Sequence, residues 1–206
     1  MIARVNQPVN LGLTLQISWT GAAGFIAIGN GLKIYKNAAK KAGYKVQGDW
    51  DAAILYFMTF PKRMDLSLDR AHRQIAVMYG EDLRGAWNTQ SLKAKWKPLN
   101  AQYLRKKIAK RLDRRTLIAT QAALKSIGVR FLQALELEVG VTAVKDGEPY
   151  MLVQEFGSRD GRIPARPLAG PVFYSNLNRY LKVMTDAVNM VLDGKEYPDY
   201  AAGAIQ

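Results

Sequence analysis

The chain has 206 residues, 49% of them apolar, which suffices for one substantial folded domain with or without an appendage and excludes wholesale disorder. It carries 30 Lys and Arg against 17 Asp and Glu, a net charge of +13, so the surface is either simply basic or built for an anionic partner such as nucleic acid, an acidic protein face or a membrane surface. The absence of cysteine excludes disulfides, thiolate nucleophiles and thiolate metal sites, and lends a small argument against an oxidising compartment. No charged and apolar leader is evident at the start. The longest apolar runs, 21–29 and 54–60, fall short of the ~20 residues that cross a bilayer, so the expectation is a soluble protein without a membrane partner, made in a cytoplasm.

Residues 11–19 alternate, with Leu11, Leu13, Leu15, Ile17 and Trp19 on one side, and predict a half-buried strand. Residues 20–47 join a glycine-rich apolar stretch to Lys33, Lys36, Lys40, Lys41 and Lys45. They read as a hairpin and a short helix, with further strands drawn from 22–36. Asp49 is placed to cap a helix from Trp50, and Pro61 to kink it or to start a second one. Met64, Leu68, Ile75, Met78, Tyr79 and Leu83 hold helical spacing as far as Trp87, before a loop containing Gly85, Asn88 and Ser91.

Asn100 caps a basic helix over 103–115 in which Leu104, Ile108 and Leu112 form a stripe. Thr116 to Ile127 reads as another helix, with Leu117, Leu124 and Ile127 inward and Gly128 at its end. The period then falls to two. One long strand is expected over 129–145, with Phe131, Gln133, Leu135, Leu137, Val139, Val141 and Ala143 on one face, Arg130, Glu136, Glu138 and Thr142 on the other, and a turn at Lys145–Glu148. Tyr150, Val153 and Phe156 predict a helical turn that Gly157 ends. An exposed loop, 158–163, and a stiff link held by Pro164 and Pro167 follow. Phe173, Leu177, Tyr180, Leu181, Met184, Val188 and Val191 mark a long C-terminal helix closed by Gly194, with Gly203-Ala204 in a mobile tail. The expected fold class is α+β: a small antiparallel sheet packed by long helices, divided into an N-terminal extension (1–48), a main domain (49–194) and a tail (195–206).

No residue pattern proposes catalysis. His72, the only histidine, sits among Asp69, Arg70 and Arg73 and reads as a helix-surface residue. Of the acidic pairs, Glu136 with Glu138 is the best placed for a metal, and it reads more simply as a wet strand face. The glycines match neither a phosphate loop nor a dinucleotide fingerprint. No cofactor and no metal are expected.

Two segments carry a resemblance. Trp96-Lys97-Pro98-Leu99-Asn100, followed by Tyr103-Leu104 and Lys107, is similar to a segment of phage virion-morphogenesis proteins. Glu155-Phe156-Gly157-Ser158, with Ile163-Pro164-Ala165-Arg166-Pro167-Leu168, resembles the signature of the tail-completion, or head–tail joining, family of tailed phages. Spacing and chain order agree over about residues 50–192. Leu168 stands where the family commonly has an aromatic, and Gly170-Pro171-Val172-Phe173 where a Pro-Ala pair starts the last helix. The resemblance implies a non-enzymatic α+β protein of the virion neck. It would assemble as a homo-oligomeric ring, usually a hexamer, between the head connector and the tail tube or terminator. Expected at the subunit or ring interface are Glu155, Phe156, Gly157, Arg159, Arg162, Pro164, Arg166 and Pro167. Arg105, Lys106, Lys107, Lys110, Arg111, Arg114 and Arg115 are expected to face channel DNA or an acidic neighbour. The same basic run leaves open a non-specific DNA-binding protein acting outside a virion, and Glu136 with Glu138 a divalent-metal nuclease.

Overall fold

A computed structural model describes residues 3–4, 11–118, 121–143, 150–201 and 203. In chain order the elements are β1 (Ala3–Arg4), β2 (Leu11–Gln16), α1 (Ala22–Lys41), α2 (Trp50–Thr89), a short 3₁₀ turn (Lys93–Lys95), α3 (Ala101–Ala109), α4 (Ala122–Lys125), β3 (Ile127–Gln133), β4 (Glu136–Val141), α5 (Tyr150–Phe156) and α6 (Ala169–Leu192). The sheet order is β1-β3-β4-β2. β3, β4 and β2 run antiparallel, and β1 adds a short parallel edge to β3. The architecture is the expected α+β one, with a small antiparallel sheet and a long C-terminal helix.

The organising element is α2, 40 residues and about 60 Å long at 1.5 Å per residue. The Asp49 side chain accepts from the Ala52 amide at 3.0 Å and starts it as expected. Pro61 neither ends nor restarts it. Proline removes one donor and crowds the preceding turn, yet α2 continues through it. Gly85 and Asn88, expected in a loop, lie inside α2, which ends where Gln90 turns left-handed at φ 56°.

The buried stripe of α2, from Phe60 through Met64, Leu68, Ile75, Tyr79 and Leu83 to Trp87, packs on α6 and on the β3–β4 face. That sheet face presents the cross-strand pairs Ile127–Val141, Val129–Val139 and Phe131–Leu137. Tyr79 donates to the Ala169 carbonyl at 3.1 Å, and Asp82 accepts from Tyr180 and Arg179, so α6 is fixed on α2 at its start and near its middle.

Four expectations are corrected here. Residues 20–47 form no hairpin and no strand; they form α1, which packs antiparallel on the start of α2. Phe25 stacks on Phe60 at 4.0 Å, Tyr35 stacks on Trp50, and Lys36 pairs with Asp51. Gly29 makes the approach possible, because a Cβ there would stand 2.7 Å from Met58 Cγ. The single strand over 129–145 is a hairpin turned at Ala134-Leu135, where Leu135 adopts φ 60°. The helix over 116–127 shrinks to α4, since Leu117 and Gln121 are left-handed at φ 64° and 62°, and Ile127 and Gly128 belong to β3. Beyond α6 the chain from Lys195 to Ala201 stays docked, a point the sequence reading did not address: Tyr197 and Ala201 are buried, and the Tyr197 amide donates to Ser67 Oγ at 3.0 Å. In α6, Leu181 is exposed rather than inward. The turn expected at Lys145–Glu148 and the end of the tail lie outside the described residues.

His72 is corrected as well. It is 2% exposed, and among the described residues neither ring nitrogen has a hydrogen-bond partner. Burial pushes its pKa down from 6.5 to about 4. The unfolded chain therefore takes up the proton first as pH falls through 6.5. Stability is full above that value and declines towards pH 4, by up to roughly 3 kcal/mol. Urea melts between pH 7 and 4.5 should show this decline, and His72→Leu should flatten it; an unchanged slope in the variant would assign the acid sensitivity elsewhere.

Candidate functional site

The residues of the second signature segment are placed by a buried carboxylate. Glu155, on the inner face of α5, accepts from the amides of Leu168 (2.6 Å), Ala169 (3.1 Å) and Gly170 (3.4 Å) at the start of α6. Those amides have no partner within the helix, and the helix dipole adds attraction for a negative group. Arg166 is buried beside it. Its amide donates to the Gln154 carbonyl at 2.6 Å and its Nε to the Lys97 carbonyl at 3.2 Å. The Trp96 indole donates to the Pro167 carbonyl at 2.9 Å. The two segments singled out in the sequence are thus hydrogen-bonded to each other.

Between α5 and the Pro164–Pro167 link the chain makes a self-braced loop. Gly157 ends α5 at φ 83°, and a Cβ there would meet the Ala165 amide and the Ile163 carbonyl, each at 3.1 Å. The Ser158 amide donates to the Ile163 carbonyl at 2.9 Å, and the Ile163 amide returns a bond to Ser158 Oγ at 2.8 Å. Asp160 accepts from Ser158 Oγ and from the Arg162 amide and pairs with the Arg162 guanidinium; the Ser158 bond heads the causes that hold its carboxyl below the usual range. Of the expected interface residues, Phe156, Arg159 and Arg162 are exposed, Phe156 to 76%. Gly157, Pro164 and Pro167 are half-buried and shape the loop. Glu155 and Arg166 are corrected from contact residues to internal ones, because their charges are spent on backbone groups of their own subunit.

The basic run is likewise sorted. Asn100 caps α3 as expected, accepting from the Gln102 amide at 2.8 Å. The helix stops at Ala109, not near 115, with Arg111 left-handed at φ 53°. Its stripe is incomplete, since Ile108 is exposed. Lys107 is buried, its ammonium held by the Arg115 and Ile118 carbonyls at 2.8 and 2.5 Å, and desolvation lowers its pKa. Arg115 is committed to Asp113 and to the Asn88 carbonyl. Arg105, Lys106, Lys110, Arg111 and Arg114 remain exposed.

These parts enclose one open groove of about 1260 Å³ between the Lys97–Asn100 turn, α3, the start of α4, α5 and the loop. Among the described residues its lining holds Lys97, Lys106, Lys107, Lys110, Arg162 and Arg166 and no Asp or Glu. Leu99, Leu112, Leu117 and Ile163 supply apolar wall, and Tyr103 and Tyr150 face it from α3 and α5. The apolar wall escaped the sequence reading, and so did Lys97 as a groove residue. A signal was present, since Asp113 is the only acid between Asp82 and Glu136. Glu138 lies across from Arg130 at 3.4 Å and Glu136 accepts from Gln133, and no group of three metal-ligating side chains occurs among the described residues. Nor is any described helix long and apolar enough to cross a membrane.

Comparison with family models, curated proteins and solved structures finds no match.

Replacing Glu155 with Ala strands three amides at a buried helix start and should cost on the order of 3 kcal/mol. In a chain of this size that lowers Tm by roughly 5–10 °C. Arg159→Ala, on the exposed loop, should leave Tm within about 2 °C. Calorimetry decides: equal melting of Glu155→Ala and wild type would remove the carboxylate from its structural role.

Proposed function

We propose that this chain is a non-enzymatic structural protein of a tailed-phage neck, which completes the tail or joins it to the head connector as a protomer of a ring around the DNA channel. The observation that carries the reading is the meeting of the two signature segments. Trp96 and Pro167 are 71 residues apart in sequence and share a hydrogen bond, with Arg166 bonded to Lys97 beside it. A chance resemblance in two short segments gives no reason for them to build one unit. That unit displays a braced loop carrying Phe156, Arg159 and Arg162, which is the form of a contact surface rather than of a reaction centre.

A closed ring needs two different adhesive faces on each protomer. The loop supplies one. The α1–α2 hairpin supplies the second: Ile28, Ile34, Leu55 and Met58 stay exposed on it, Ile34 to 69%. Electron microscopy of particles made without this chain should show separate full heads and tails, rejoined when the purified protein is added. Normally joined particles would refute the proposal.

A second reading, a non-specific DNA-binding protein acting outside a virion, is favoured by the five exposed cations of α3 and its C-terminal turn. If all five meet phosphates, log K should fall against log[salt] with a slope of about −4.5. No duplex binding at ~50 mM salt would eliminate it.

A further inference from the structure

The groove has three properties that no single element explains. At about 1260 Å³ it exceeds the roughly 300–1,000 Å³ of ordinary small-molecule pockets. Among the described residues its lining is cationic without a carboxylate, and Lys97, Lys106 and Lys110 have no ion-pair partner. Asp113, the nearest acid in sequence to Lys106 and Lys110, is held by Arg115 through both oxygens. Between the cations lies incompletely buried apolar surface from Leu99, Leu112, Leu117 and Ile163. A sugar–phosphate chain would use the lysines and leave that surface wet. An extended polypeptide presents alternate side chains to opposite sides and can satisfy both.

We infer that this groove docks an extended segment of a partner polypeptide in which acidic side chains alternate with apolar ones. Lys106 on α3 and Lys110 at its C-cap lie one helical turn apart and receive successive carboxylates; Lys97 and Arg162 flank them. The apolar side chains of the partner turn towards Leu117 and Ile163. From Tyr103 to Lys110 the helix rises about 10 Å, and an extended chain advances about 3.3 Å per residue, so three or four partner residues lie along α3. The buried ammonium of Lys107 and guanidinium of Arg166 add positive potential to the floor without needing direct contact. The inference rests on the groove alone and holds whether or not the chain acts in a phage neck.

The test uses the full chain and a fluorescein-labelled peptide of about ten residues, some 33 Å extended, that alternates Glu and Leu around a central Pro to prevent self-pairing. A Glu–Ser peptide of equal charge and single- and double-stranded DNA of similar length serve as comparators. Anisotropy should show the Glu–Leu peptide binding at least about tenfold tighter than the Glu–Ser peptide. The double variant Lys106→Glu/Lys110→Glu, both exposed positions, should weaken it about tenfold or more, as should Ile163→Asp, with unchanged circular dichroism. Lys33→Glu/Lys40→Glu on α1, outside the groove, should not. The inference is overturned by absent binding, by equal binding of the two peptides, by indifference to the groove variants, or by DNA displacing the peptide more effectively than unlabelled peptide does. Peptide binding and particle assembly are separate readouts, so the groove and the neck reading can fail independently.

Discussion

Much of the candidate site depends on one carboxylate at one helix start. Glu155 leaves water to meet three amides of α6, and a buried charge of this kind is tolerated only where its hydrogen bonds are complete. That requirement fixes α5 against α6. With both ends held, the intervening chain has to close into a loop between Gly157 and Arg166. Gly157 supplies a backbone angle that a side chain would strain, and the Ser158–Ile163 bonds close the loop. Arg166 and Pro167 then carry the order across to Lys97 and Trp96, so the turn before α3 takes its position from the same unit. The exposed loop is stiff because buried groups on either side of it are satisfied, not because of its own composition.

The electrostatics of the molecule follow a similar logic of commitment. A net charge of +13 says little until individual cations are sorted. Arg70, Arg73, Arg115 and Arg179 are spent on carboxylates, and Lys107 and Arg166 on carbonyls. Most of these are exposed or half-exposed pairs, each worth less than about 1 kcal/mol, and they mainly orient side chains. What remains is concentrated around α3, where acids are nearly absent from the sequence. Lining a concave surface with like charges raises the local potential more than scattering them would.

The parts of this fold that were legible from sequence are the locally determined ones. Asp49 and Asn100 cap helices through bonds spanning two or three residues, and Gly157 and Gly194 end helices through their own φ. α1 was illegible because Gly24, Gly29 and Gly31 look like breaks, whereas Gly29 is a contact point whose purpose is visible only with Met58 in place. The β3–β4 turn was hidden because Ala134-Leu135 has no turn chemistry and the apolar alternation runs through it in phase. The spacing of Leu117, Leu124 and Ile127 suits a helix, and only the left-handed backbone at Leu117 and Gln121 denies it.

The candidate site shows the same division in sharper form. Its location was legible, because the two signature segments and the basic run converge on one groove. The roles within it were not. Glu155, Lys107 and Arg166 look like surface charges in a polar context, yet all three are buried, with partners that are backbone atoms from 8 to 69 residues away. Backbone acceptors and donors leave no trace in residue type, so a charged residue that serves them cannot be told from one that serves a partner. The exposed charges left over, Lys97, Lys106, Lys110 and Arg159, are therefore the ones free to act on another molecule, and the buried three are what hold them in place.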